Sequence, residues 1–266
     1  MKKILYLIAV STMLFSACKK QALVENTVYE KIAPGDPKYA YVKILNLTPG
    51  SPVLTYYMDD IKFSGNLSSL GVENSGYTYN QVYPDLGYSV TSPGTHKLTA
   101  KVIPTATADP NLEVFNTQIS PMAGKYYTLF TTGQYTATNK KIASSVLLED
   151  IKPLLDTSKI FVRIANLYNG GPNIDLIKGD VVTTGVKVIS NVAYGTASNW
   201  VAVPSPGNGV APSFKVFFND AATGIPLITA GITITLSKGR AYTLYLRGIA
   251  GNPTYPFSGT FYTTFY

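Results

Sequence analysis

Few residues in this 266-residue chain have types and spacings that could carry chemistry. Cys18 is the only cysteine and closes Leu14-Phe15-Ser16-Ala17-Cys18, so thiol chemistry is confined to one position near the start of the chain. His96 is the only histidine, which excludes a two-histidine metal site and leaves any Ser-His-Asp arrangement resting on it. It follows Pro93-Gly94, a turn pair read as the start of a hairpin, where an exposed polar residue is expected. Asp59-Asp60 could supply one acid of a glycosidase pair, but adjacent acids on a strand point to opposite faces. A solvated turn is the simpler reading. Asp175 and Asp180 amount to a weak calcium candidate, because no Asp-x-Asp-x-Asp-Gly loop supplies the oxygen ligands that a hard cation needs. Gly-x-Ser-x-Gly, His-Glu-x-x-His and phosphate-cradling glycine loops are absent from the sequence. The expectation is no cofactor, no metal and no catalytic residues, with a hydrolase as a remote third reading.

Aromatic residues offer a binding chemistry instead. Tyr77, Tyr79 and Tyr83 share one strand parity, with Gln81 between them. On an exposed strand they would line one face and could stack on sugar rings, whereas on a buried strand they would be core. Trp200, the sole tryptophan, precedes the alternating Val201-Ala202-Val203 and reads as a core plug.

The elements that must position these residues begin with the leader. Lys2 and Lys3 precede an apolar run from Ile4 to Phe15. That run is too short to span a bilayer, which takes roughly 20 apolar residues. Small residues Ser16 and Ala17 then precede Cys18, as in a lipoprotein signal peptide over residues 1–17. The expectation is cleavage, acylation of Cys18 (palmitate) and a membrane anchor, with Phe15 standing where leucine is usual. Without the leader's two lysines the net charge falls from +7 to +5. No run of five or six basic residues suggests nucleic acid. Only 14% of residues are charged, against about 25% in ordinary soluble domains.

Tyr41-Val-Lys-Ile-Leu-Asn-Leu47 returns as Phe161-Val-Arg-Ile-Ala-Asn-Leu167, offset by 120. Gly124-Lys-Tyr-Tyr-Thr-Leu-Phe130 returns as Gly239-Arg-Ala-Tyr-Thr-Leu-Tyr245, offset by 115. Val90 with Pro93-Gly94 matches Val203 with Pro206-Gly207. Three ordered matches point to a duplication. Each block reads as a strand, and Tyr126, Thr128 and Phe130 alternating with Tyr127 and Leu129 leave both faces apolar, as in a central strand. The expected fold is all-β, with two tandem immunoglobulin-like antiparallel β-sandwiches over residues 39–153 and 154–266. Residues 18–38 form a tether, and Ser145–Asp150 and Gly259–Tyr266 are the closing strands. The C-terminal Thr260–Tyr266 is read as a final sandwich strand rather than a membrane-barrel strand.

The block from Val42 to Pro52 resembles the opening strand and turn of the domain of unknown function 4397. Ser92-Pro-Gly-Thr-His96 resembles its Val-Pro-Ala-Gly-Thr-His turn, and Gly124–Phe130 its closing Ala-Gly-x-x-Tyr-Thr-Leu strand. Val146–Asp150 resembles its inter-repeat connection. The resemblance covers residues 39–266 over two copies and implies immunoglobulin-like folds in a secreted or lipid-anchored bacterial protein, many of the family being from Bacteroidota. It implies no reaction. The expected role is therefore binding or scaffolding at the cell envelope, on the outer membrane and facing periplasm or surface. An envelope protein or a glycan is the expected partner, the glycan through the tyrosine stripe.

Overall fold

The computed structural model describes residues 30–65, 71–73, 75–204 and 213–265. Two compact units divide at Asp36/Pro37, and everything below concerns the second. Among the described residues every regular element is a strand, and no helix is long and apolar enough to cross a membrane.

The first half carries β1 (Ala40–Asn46), β2 (Leu54–Met58), β3 (Ile61–Lys62), β4 (Val82–Tyr83), β5 (Ser89–Thr91), β6 (His96–Val102), β7 (Glu113–Ile119), β8 (Tyr126–Thr132) and β9 (Ser144–Glu149). The second carries β10 (Lys159–Asn166), β11 (Ile174–Lys178), β12 (Val186–Val192), β13 (Thr196–Ala197), β14 (Val201–Pro204), β15 (Ser213–Asp220), β16 (Ile232–Thr235), β17 (Ala241–Arg247) and β18 (Ser258–Phe265). They form four sheets. β4-β1-β8-β9, with β5 also on β1, faces β3-β2-β6-β7, and β13-β10-β17-β18, with β14 also on β10, faces β12-β11-β15-β16.

Alternation along the strands explains the layering. Val42 and Ile44 of β1 join Leu54, Tyr56, Leu98 and Leu129 in one core, and Ile160, Val162 and Ile164 of β10 join Leu176, Val216 and Leu244 in another. Each such side chain contributes about 1.5–3 kcal/mol by leaving water. The opposite faces of β1, β8, β10 and β17 do not meet solvent. Leu45, Leu47, Phe130, Ala165, Leu167, Tyr245 and Tyr262 form a third core in which the two central sheets pack on each other. Four layers result, and the two inner sheets are covered on both sides. All seven residues of β1 are therefore buried.

The fold is two β-sandwiches, as expected, with one departure from antiparallel pairing in each. β1 runs parallel to β8 and β10 parallel to β17. The cause is connectivity: the chain crosses to the outer sheet twice before β8 returns beside β1 in the same direction. Both registers keep the sequence offsets, since Tyr41 faces Tyr126 where Phe161 faces Ala241. Local bonds match as well. Asn46 Nδ2 donates to the Tyr77 carbonyl while its Oδ1 accepts from Thr48 N, as Asn166 does with Val192 and Tyr168. The Tyr127 hydroxyl accepts from Met122 N, as that of Tyr242 does from Ser237 N.

Pro93-Gly94 does not start a hairpin. β5 pairs with β1 and β6 with β2 and β7, so the turn carries the chain from one sheet to the other. Pro206-Gly207 lie outside the described residues.

Candidate functional site

Asp59 and Asp60 form the two-residue turn between β2 and β3, with Met58 facing Ile61. Both have positive φ, 50° and 64°, as the twist of a tight hairpin requires. The turn aims Asp59 at the start of β6, where its Oδ1 accepts from Lys97 N at 2.9 Å and its Oδ2 meets His96 Nδ1 at 2.6 Å. His96 Nε2 lies 2.9 Å from the Ser92 carbonyl oxygen and 3.3 Å from Ser92 Oγ. His96 is buried rather than exposed, a correction that follows from this distant partner across two turns.

The three residue types of a hydrolytic triad are thus adjacent, but with different chemistry. Both ring nitrogens face acceptors, an arrangement that favours the doubly protonated ring, which can donate twice. The hydrogen bond to Asp59 raises the His96 pKa, with the Ser92 carbonyl helping and burial opposing. The same bond holds the Asp59 carboxyl below its usual range. A general base would need a free Nε2 lone pair aimed at the Ser92 hydroxyl. Here Nε2–H is committed to a carbonyl, and the cluster clasps two turns beside a cleft of about 220 Å³ walled by Met58, Ile61, Phe63 and Val90.

A second cluster lies between the central sheets. Asp150, just after β9, is 2% exposed. Its Oδ2 accepts from the Tyr88 hydroxyl at 2.8 Å and from Thr128 Oγ1 at 2.5 Å, and its Oδ1 pairs with Arg163 Nη2. Arg163 Nε donates to Thr243 Oγ1 at 2.9 Å, and Tyr262 donates to Thr128 Oγ1 at 3.2 Å. Lys43, fully buried, donates to the Pro84 carbonyl at 2.8 Å and lies 5.3 and 5.6 Å from the Tyr88 and Tyr262 ring centroids. Burial lowers its pKa to about 8, against the pull of Asp150 and Asp85. Burial also pushes the Tyr88 hydroxyl well above its usual range, with Asp150 adding to the effect. The sequence reading missed this cluster. Its trace was available: Lys43 and Arg163 occupy the same place in the repeated block, on strands otherwise apolar on both faces.

The exposed tyrosine stripe is corrected. Residues 78–81 are not a strand, and Asn80 has φ +69°, so parity from Tyr77 to Tyr83 is lost. Tyr77 and Tyr83 are buried in the first core with rings 5.4 Å apart, beyond reach of a sugar. Tyr79 turns toward the second half. Its ring meets Tyr255 edge-on at 5.9 Å and its hydroxyl accepts from Arg247 Nη1 at 3.2 Å. Trp200 is a half-buried cover rather than a core plug, 4.6 Å above the Arg163 guanidinium, because its Nε1–H donates to the Ile151 carbonyl at 2.6 Å. Asp175 is buried, paired with Lys187 and accepting from Asn191 N, while Asp180 is exposed in a turn. Among the described residues no group of three metal-ligating side chains occurs. Cys18 lies outside the described residues. Ser258–Phe265 closes the second sandwich against β17.

Several solved structures share limited likeness. A family 26 carbohydrate-binding module from Eubacterium rectale Amy13K, solved with maltoheptaose, is 14% identical, with 84% of this chain and 97% of that one covered and a TM-score of 0.25. A streptococcal virulence factor described for alpha-glucan binding is 13% identical over 85% and 97%, with a TM-score of 0.27. A cell adhesion protein assigned in Bacteroides uniformis is 10% identical over 85% and 99%, with a TM-score of 0.23. At these scores none is evidence about a ligand. No curated protein matches the sequence. One family does: residues 40–177, from β1 through β11 and just over half of the chain, match the Domain of unknown function (DUF4397), and the chain belongs to that family.

Proposed function

We propose that this chain is a non-enzymatic envelope protein, acylated at Cys18 and held at the outer membrane, whose two sandwiches act as one rigid unit that binds or scaffolds an envelope protein. The observation that carries the reading is the face-to-face packing of the two central sheets through Leu45, Phe130, Leu167 and Tyr262. Burying both faces of both sheets makes a stiff body and leaves turns, edges and outer sheets as contact surface. In this reading residues 39–153 and 154–266 are duplicated copies of the family domain, residues 18–38 the tether and 1–17 the cleaved leader. The matched registers of β1·β8 and β10·β17 support it. A glycan bound by the tyrosine stripe is not part of it, because Tyr77 and Tyr83 are core.

Two measurements test the proposal. Cys18→Ala should move the protein out of the membrane fraction, and mass spectrometry of the wild type should find acyl chains on Cys18. Retention of the variant, or an unmodified thiol, removes the anchor. Crosslinking and affinity capture from the native envelope should then recover a specific protein that a washed control lacks. Recovery of polysaccharide alone would overturn the partner class.

A further inference from the structure

Where β9 leads into β10, a pocket of about 170 Å³ opens on the rim of the inter-sandwich seam, its lining including Glu149, Ile151, Arg163, Ser198, Asn199 and Trp200. Arg163 is among the lining residues although it is only 4% exposed. Nε is taken by Thr243 and one Nη2 proton by Asp150. Nη1 makes no hydrogen bond among the described residues, and Arg163 is part of the pocket lining. The Trp200 ring packs 4.6 Å from the guanidinium, and its bond to the Ile151 carbonyl fixes that wall.

Charge and shape name the ligand. Lys43, Arg163, Lys125 and Lys152 stand against the carboxylates Asp150, Asp85 and Glu149, which leaves one excess positive charge. Glu149, which also lines the pocket, is taken by Lys125 at 2.9 Å, and Lys152 lies over Phe265. A planar guanidinium with N–H groups left over from its bonds to Thr243 and Asp150, in the lining of a small, partly apolar pocket, suits a planar monoanion with a short carbon body. From this geometry we propose that the pocket binds a carboxylate, either a small free organic acid or the carboxylate of a peptide. The site is independent of the anchor and partner reading, and failure of Cys18 acylation would leave it untouched.

Trp200 is the only tryptophan, so its fluorescence reports the pocket directly. Titrating the purified full chain with acetate, propionate and benzoate at constant ionic strength should give a saturable change that chloride does not. Ile151→Glu, which places a carboxylate at the mouth from a residue already 68% exposed, should weaken the response about tenfold or more. Leu154→Glu, at a 94% exposed position outside the lining, should change it less than about twofold. An acidic peptide with a free C-terminus, compared with its amidated form, distinguishes the sources. Tighter binding than acetate that is lost on amidation identifies a chain terminus, and equal or weaker binding identifies a free acid. A response reproduced by chloride, one that does not saturate, or one unaffected by Ile151→Glu overturns the site.

Discussion

Replacing Asp150 by Asn removes one charge from the seam while keeping an acceptor for Tyr88 and Thr128. Asp150 and Arg163 are 2% and 4% exposed and Lys43 is fully buried, so water replaces little of the lost counter-charge. Removing one partner of a buried pair costs about 3–5 kcal/mol. For a unit of this size each kcal/mol lowers Tm by about 2–4 °C, so the expected drop is roughly 6–20 °C. Urea titration followed by circular dichroism reads the free energy directly. Two controls sharpen the test. The loss should persist at 1 M salt, where the Debye length of about 3 Å suppresses only exposed charge effects. Asp150→Leu combined with Arg163→Met should recover most of the loss, since a well-packed apolar replacement of a buried pair is often neutral or better. A cost below about 1 kcal/mol, or one abolished by salt, would refute the reasoning that the seam depends on this charge.

Other expectations follow from the same geometry. Lys43 has its folded pKa lowered to about 8, so between that value and 10.5 the unfolded chain binds the extra proton and stability rises with pH, by about 3 kcal/mol in all. Lys43→Met should flatten that rise in a pH series of urea melts. Above pH 10 the trend reverses, because Tyr88, Tyr262 and Tyr245 (pushed up to about 12) hold protons that the unfolded chain releases. His96 has a raised folded pKa, so its contribution is complete below 6.5 and fades as pH climbs through the folded value. Asp59, with a lowered pKa, contributes above 3.8 and loses its contribution as pH falls through its folded value. Thermal melts of His96→Gln should lack the decline above pH 6.5. Tyr77→Phe removes a buried hydroxyl with no partner among the described residues and should be neutral or stabilising by up to about 1 kcal/mol. Tyr83→Ala should cost about 3–5 kcal/mol in chemical denaturation.

The repeated blocks were readable because the inner strands carry apolar residues on both faces. Tyr126, Thr128 and Phe130 opposite Tyr127 and Leu129 announce a central strand, and the structure covers both sides of β8. What covers the second face was not readable, because packing of one sandwich on the other is a long-range event with no local pattern. Lys43 shows the difficulty. A lysine between valine and isoleucine reads as a solvated position, and only the opposed sheet with Asp150, Tyr88 and Tyr262 buries it. The stripe at Tyr77–Tyr83 failed for a local reason, since period-two reasoning holds only while the chain stays extended and Asn80 breaks it. His96 failed for a topological one, its partner Asp59 lying 37 residues earlier on another turn.

The parallel pairing of β1 has a mechanical consequence. β1 is hydrogen-bonded along both flanks, to β8 on one side and to β4 and β5 on the other. Tension that enters the chain at Ala40 and runs along the strand axis must slide β1 past both neighbours, loading many hydrogen bonds together rather than peeling them singly. β10 is gripped in the same way by β17 on one side and β13 and β14 on the other. Each sandwich thus takes a pull at its first strand in shear, the direction in which a sheet resists most.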